Sequence, residues 1–344
     1  MNTSPVWPEF DPAEHPMSRL IKLSHFYGSD PGFILAGGGN TSVKIDEHLY
    51  IKASGVSLAT ITEDGFVALD LAQIASIVER TLSDNPTERE EQFKQAVMSA
   101  RLEPNKGQRP SVESVLHALA PGQYVVHSHC TVINMVTCCQ NGRELAMELF
   151  GDEILWLDYV DPGFVLACSF NRELKAWQAR TGLRRHRAIL MQSHGLIVAG
   201  DDPESIRTDT DWTVGVIREK LETISDSESY GPVQAMESAS SKSVRSVLEA
   251  ELPKVCGEQG REWHVHFDAS PEVMALVCGR DGRQAADGWP LTPDQIVYCK
   301  SFPLWLSIPV GATEKDMVKQ ATEAVAAHRV QWNYTPRVVL IEGV

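Results

Sequence analysis

The sequence predicts an α/β protein built from a longer and a shorter region. Three observations point to this. Apolar runs of strand length alternate with segments whose apolar residues recur at helical spacing. Gly, Pro, Asn and Asp mark the boundaries between them. A serine-rich stretch at 226–244 separates residues 17–225 from residues 245–344.

Residues 1–16, rich in Pro and acidic side chains, read as a tail. A helix follows over 18–27, anchored by Leu20, Ile21, Leu23 and Phe26 and stopped at Gly28. The apolar run 33–36 enters Gly37-Gly38-Gly39-Asn40-Thr41-Ser42, and a hairpin pairs 43–45 with 49–52 across Asp46-Glu47-His48. Ser54-Gly55 breaks the second strand. After a strand at 66–69, Asp70 caps a helix carrying Leu71, Ile74, Ile77 and Val78, and 88–102 is helical too. Arg109-Pro110-Ser111 opens a short helix through Val115, Leu116 and Leu119, which Pro121-Gly122 ends. Tyr124-Val125-Val126 reads as a buried strand leading into His127-Ser128-His129, with a helix at 131–139. Short strands are expected at 154–157 and 159–160, a helix at 174–180, a strand at 188–192 and extended chain at 196–199. Asp202-Pro203 starts a helix with Ile206, Thr210, Val214, Ile217 and Leu221 at helical spacing. The shorter region carries a helix, strands near 263–267 and 296–299, a helix over 313–332 and a last strand at 337–341.

The 344 residues carry a net charge of −15, which disfavours nucleic acid as a partner. An anionic substrate must then be held by local N–H groups or a metal. No apolar run has the length of a membrane span, and Met1 to Pro5 lacks the basic and apolar pattern of a secretory signal. Seven cysteines without a CxxC pair fit reduced thiols in a cytoplasmic protein.

Alternation along a strand projects His127 and His129 from one face. With His194 of Ser193-His194-Gly195 they make a three-nitrogen site for a divalent metal with a coordination position open to substrate. A second such pair, His264 and His266, has no third ligand near it in sequence and is read as ordinary polar residues of a strand. Glu113 and His117, four residues apart, share a helix face. Glu113 can return to the histidine strand as general base or replaceable fourth ligand. The glycine loop 37–42 and the Ser54-Gly55 turn offer backbone N–H groups to an anion such as a phosphate. Cys130 points to the opposite face and is read as core; Lys44 and Lys52, on the hairpin near the glycine loop, could offset substrate charge but are read as solvated strand residues.

Gly38-Gly39-Asn40-Thr41-Ser42, Lys52-Ala53-Ser54-Gly55, Pro110-Ser111-Val112-Glu113 with His117, Val126-His127-Ser128-His129 and Ser193-His194-Gly195 occur together and in this order. In this the chain resembles the class II aldolase/adducin family over 17–225, and in particular the aldolase half of bifunctional rhamnulose-phosphate aldolase/dehydrogenase proteins. The resemblance implies an α/β/α sandwich, its mainly antiparallel central sheet flanked by helices. It implies Zn2+, or another divalent metal, on His127, His129 and His194, and Glu113 as the acid/base at the carbon next to the carbonyl. It places Gly39, Asn40, Ser42, Ser54, Gly55 and Ser111 around the substrate phosphate. The implied reaction cleaves an L-rhamnulose- or L-fuculose-like ketose 1-phosphate to dihydroxyacetone phosphate and an aldehyde, in a homotetramer. Val112 stands where the fuculose-type pattern has a second serine, and Phe164-Val165-Leu166-Ala167 follows Gly163 where rhamnulose aldolases carry a glutamate. A pentulose-5-phosphate 4-epimerase on the same fold usually has another acidic residue at position 113. A non-enzymatic adducin-like module lacks the histidines. No dinucleotide fingerprint is present up to Val344, so no dehydrogenase activity is expected.

Overall fold

The computed structural model describes residues 5–223, 230–232, 238–257 and 263–344. The first residues of the predicted tail and positions 226–229 and 233–237 of the predicted linker lie outside the described residues. The chain divides into two compact units, Met1–Thr223 and Ile224–Val344.

In the first unit a helix, α1 (Pro16–Gly28), precedes the hairpin β1 (Asn40–Ile45) and β2 (His48–Lys52). Strand β3 (Phe66–Asp70) runs into α2 (Leu71–Ala75), where Asp70 accepts from the Gln73 N–H as N-cap. There follow α3 (Pro86–Ser99), α4 (Ser114–Leu119), β4 (Tyr124–Ser128), α5 (Thr131–Thr137), α6 (Gly142–Phe150) and β5 (Ile154–Leu157). The unit ends with α7 (Phe164–Thr181), β6 (Ala188–Met191), β7 (Gly195–Gly200) and α8 (Pro203–Glu222), whose start is a capping box on Asp202.

Seven strands form one sheet in the order β3-β2-β1-β4-β7-β6-β5, antiparallel throughout except for the parallel pair β5–β6. Side chains alternate across it. Ile51, Leu69, Val125, Leu157, Ile189 and Ile197 pack with Phe93 of α3, Leu116 of α4 and Phe170 of α7. Val43, Tyr124, Val126, Trp156, Leu190 and Val198 pack on the other face with Leu20 of α1, Ile133 of α5, Ala146 of α6 and Ile206 of α8. The result is the expected sandwich, with two cores separated by one sheet.

The second unit holds α9 (Ser238–Cys256), α10 (Pro271–Cys278), α11 (Gly282–Ala286), β8 (Leu304–Leu306), α12 (Glu314–Trp332) and β9 (Val339–Ile341), with β8 and β9 paired in parallel. Its own core includes Leu248, Leu252, Leu306, Ala321, Val325 and Ile341. No helix among the described residues is long and apolar enough to cross a membrane.

Several local expectations need correction. Residues 159–160 are irregular, and 263–267 belong to no strand and have no ladder partner. Residues 296–299 lie in a π-helical turn, Gln295–Cys299. Residues 238–243, read as linker, belong to α9. Helix α7 begins ten residues before the predicted start, because Phe164, Ala167, Phe170, Leu174 and Trp177 share one apolar stripe into the core.

One ion-pair cluster ties α8 to the sheet. Asp209, almost fully buried, meets Arg185 Nη1 at 2.5 Å and Arg187 Nε at 2.7 Å, and the Arg187 guanidinium lies 3.9 Å over the Trp212 ring. Asp209→Ala strands two partly buried cations and is expected to cost about 3 kcal/mol, near the lower bound for a broken buried pair because both arginines keep some solvent. Urea unfolding of the two proteins checks this; a loss under about 1 kcal/mol would show solvent already screens the cluster.

Candidate metal centre

Two strands and two turns build the site. On β4, Val125 enters the core beneath α4, so His127 faces the same way. On the neighbouring strand β1, Asn40 pairs with His127 and Ser42 with Val125, and both therefore share that face. His129 lies one residue beyond the end of β4, and His194 sits not on a strand but in the turn joining β6 to β7. That turn carries Ser193 at φ 53°, and the His194 N–H donates to the Met191 carbonyl at 3.1 Å. Gly195 lets the turn close onto β4: a Cβ there would stand 2.3 Å from the Ser128 carbonyl oxygen.

The three imidazoles converge. One ring nitrogen from each lies within 4.8 Å of the others, and this is the one such group of three potential ligands found among the described residues. His127 and His129 approach at 3.1 Å through their Nε2 atoms. In a tetrahedral zinc site with bonds of about 2.0–2.1 Å, adjacent nitrogens stand about 3.3 Å apart, so this spacing suits the ion. His127 Nδ1 lies 3.0 Å from the Leu196 carbonyl oxygen. As donor to that carbonyl it leaves the Nε2 lone pair for a metal. Burial pushes the His127 pKa down to about 3, so the ring is neutral, the form a cation requires. The donor set therefore fits a divalent metal.

Glu113 stands beside this cluster. Its Oε1 is 3.2 Å from His194 Nε2, its Oε2 is 3.5 Å from His127 Nε2, and Asn40 Nδ2 donates to Oε2 at 2.6 Å. Burial raises the carboxyl pKa, but His127, His194 and Asn40 outweigh it and hold the group well below the usual carboxylate range. The site thus presents an ionised, desolvated carboxylate close to two of the three converging imidazoles.

The other expected residues divide. Ser111 Oγ accepts from Asn40 Nδ2 and from the Glu113 N–H, each at 3.2 Å, which places it in the same network. Ser54 and Gly55 form an exposed turn, and Ser54 lines a cavity of about 220 Å³ together with Lys94, Arg109 and Val112. Ser42, expected at the phosphate, is fully buried with its Oγ 2.7 Å from His117 Nδ1. Helix α4 covers it, so its hydroxyl serves the interior.

Lys52, read as solvated, is buried: its ammonium donates to the carbonyls of Gly37 and Val56, both at 2.9 Å, and so joins the glycine loop to the turn at Ser54. Burial lowers its pKa while nearby Glu113 raises it. Lys44 is half-buried on the carbonyls of Ala120 and Gly122, and burial lowers it to about 8. The sequence places Lys52 near the glycine loop as a possible charge against substrate; its burial follows from Gly37 and Val56 closing over its ammonium.

Gly39 has φ +60°, and a Cβ on it would stand 2.7 Å from the His127 carbonyl oxygen. Gly39→Ala is expected to cost at least the ~1–2 kcal/mol of a left-handed alanine and to displace β4 at His127. Metal titration by calorimetry should show weakened binding; unchanged affinity would show that the strand absorbs the methyl group.

Comparisons with known proteins agree on the first unit. Residues 18–213 match the model of the Class II Aldolase and Adducin N-terminal domain. The N-terminal class II aldolase domain of a conserved protein from Thermoplasma acidophilum superposes with a TM-score of 0.53 at 25% identity, covering 62% of this chain and 97% of that one. The L-fuculose-1-phosphate aldolase of Thermus thermophilus aligns at 18% identity and a TM-score of 0.38, over 60% of this chain and 93% of that chain. A Bacillus subtilis (strain 168) protein named uncharacterized oxidoreductase YuxG is 26% identical over 372 residues. That match takes in 98% of this chain but 52% of the relative, so the chain spans about half that protein's length.

Proposed function

Since this chain belongs to the class II aldolase/adducin family, we propose that it is a zinc-dependent aldehyde-lyase cleaving a ketose 1-phosphate of the L-rhamnulose or L-fuculose kind to dihydroxyacetone phosphate and an aldehyde. The observation that carries this reading is the buried Glu113 carboxylate lying within 3.5 Å of the ring nitrogens of His127 and His194.

His127, His129 and His194 would hold the cation. Zinc or another divalent ion bound there supplies a Lewis acid for the carbonyl and hydroxyl oxygens of the ketose, stabilising the charge left when the adjacent C–C bond breaks. In cleavage the ionised Glu113 would take up the proton lost by the hydroxyl of the carbon that becomes the aldehyde and pass it to the carbon next to the carbonyl. In the reverse addition it would remove the proton from that carbon and return it to the new hydroxyl. Asn40 orients that carboxylate through Nδ2, and its Oδ1, buried and without a partner, is an acceptor suited to a substrate hydroxyl. Gly39, Asn40, Ser54, Gly55 and Ser111 would surround the phosphate. Lys52 forms no ion pair with a carboxylate among the described residues, and its buried charge would offset the phosphate within a protein of net charge −15. In this reading the chain assembles as a homotetramer.

Metal analysis of purified protein followed by a screen of ketose 1-phosphates tests the proposal. About one zinc per chain and equal release of aldehyde and dihydroxyacetone phosphate are expected. Interconversion of pentulose phosphates without free aldehyde would replace the lyase reading by an epimerase. Protein that takes up no divalent metal would end both.

A further inference from the structure

We propose that Ser42 and His117 are positioning residues for Glu113, an inference that rests on the lyase reading. Strand β1 and helix α4 are joined by two parallel rungs. In the first, Asn40 Nδ2 donates to Glu113 Oε2 at 2.6 Å; in the second, Ser42 Oγ meets His117 Nδ1 at 2.7 Å. The spacings match: two residues along a strand advance about 6.7 Å, and four along a helix about 6 Å. Residues 40 and 42 share a strand face, residues 113 and 117 a helix face, and each side chain meets the one opposite.

The second rung matters because the first cannot fix the carboxylate alone. Helix α4 has six residues, too few to hold its own geometry, and Glu113 precedes it as an N-cap with no side-chain capping bond. The Glu113 carbonyl accepts the His117 N–H at 3.2 Å, so any displacement of His117 is felt at Glu113.

His117 is also a costly choice for a residue that only fills space. It is fully buried, and its Nε2 has no hydrogen-bond partner. Leucine would fill the position without stranding a polar atom. What the imidazole adds is Nδ1 and its bond to Ser42. Burial drives the ring pKa to about 3, Lys44 acts in the same direction and Glu113 opposes both. The ring is thus neutral and adds no charge beside the Glu113 carboxylate.

The test compares His117→Leu, His117→Asn and Ser42→Ala with the parent in kcat, KM and bound metal, and by crystal structures without metal. Asparagine places an amide nitrogen where Nδ1 stands. His117→Leu and Ser42→Ala should each lower kcat by about tenfold or more, with KM within about twofold and metal content unchanged. Their crystal structures should show the Glu113 carboxylate displaced from Asn40, and His117→Asn should restore most of both. Should His117→Leu fail to fold, the smaller Ser42→Ala change carries the comparison. Parent-like kcat with Glu113 in place, or activity lost only in step with lost metal, overturns the inference. Failure of the parent to release aldehyde refutes the lyase reading, while the crystal structures still decide whether the second rung sets the carboxylate.

Discussion

Glu113→Gln is expected to slow aldehyde release by about 10²–10⁴-fold, the usual contribution of a positioned general acid or base. That range corresponds to about 2.7–5.5 kcal/mol of barrier. Glutamine keeps the length and the acceptor oxygen, so the bond from Asn40 Nδ2 survives. What disappears is the proton-carrying oxygen and a negative charge held among His127 and His194. The ligand nitrogens belong to other residues, so metal content should not change. Some stability should be lost as well, since the folded site holds this carboxyl well below its ordinary range and so favours the ionised form that glutamine lacks. The measurement is kcat beside zinc per chain and urea midpoint. A fall of less than about tenfold with full metal occupancy would remove Glu113 from the chemistry.

Much of this arrangement was legible in the chain because it is local or periodic. Alternation along Tyr124 to Ser128 identifies the face of His127, and the capping residues Asp70 and Asp202 start the helices they precede. The antiparallel sheet itself came from the family resemblance, not from periodicity. What escaped is what depends on a distant segment. Ser42 looks like a loop-end hydroxyl until α4, some seventy residues on, brings His117 to it. Lys52 looks like a solvated strand residue until the chain at Gly37 and Val56 closes over its ammonium. Helix α7 was underestimated because Asn171, Arg172 and Glu173 interrupt its composition, although its apolar stripe runs on. Residues 263–267 have strand-like alternation, but no ladder partner lies beside them, and a strand exists only where its backbone is paired.

Metal-free protein is expected to lose stability steeply as pH falls below about 6.5, the unperturbed histidine value. Two buried histidines outside the three-histidine cluster contribute to this beside His127, whose pKa burial holds at about 3. His117 has its pKa pushed down to about 3 by burial. His186, edge-on to the Trp177 ring and with neither ring nitrogen hydrogen-bonded, is pushed to about 4 by burial and then by Arg185, with Asp209 opposing. In the unfolded chain both accept protons near pH 6.5; in the folded chain both refuse them. The unfolded state therefore binds more protons throughout the window between the two values, and stability rises with pH there. Each residue contributes up to about 1.4 kcal/mol per pH unit, or about 7 kcal/mol for the pair by pH 4. That rivals the whole stability of an ordinary domain, about 5–15 kcal/mol. Glu113 acts in the same sense: below its ordinary value of 4.5 the unfolded carboxyl takes up a proton that the folded one declines. Urea unfolding of metal-free protein at several pH values between about 7.5 and 4.5 measures the slope. His186→Leu removes one of three titrating rings, so its slope should fall by about a third within the same window. A stability unchanged from pH 6.5 to 4.5, or an unaltered slope in His186→Leu, would show that these rings accept protons inside the fold.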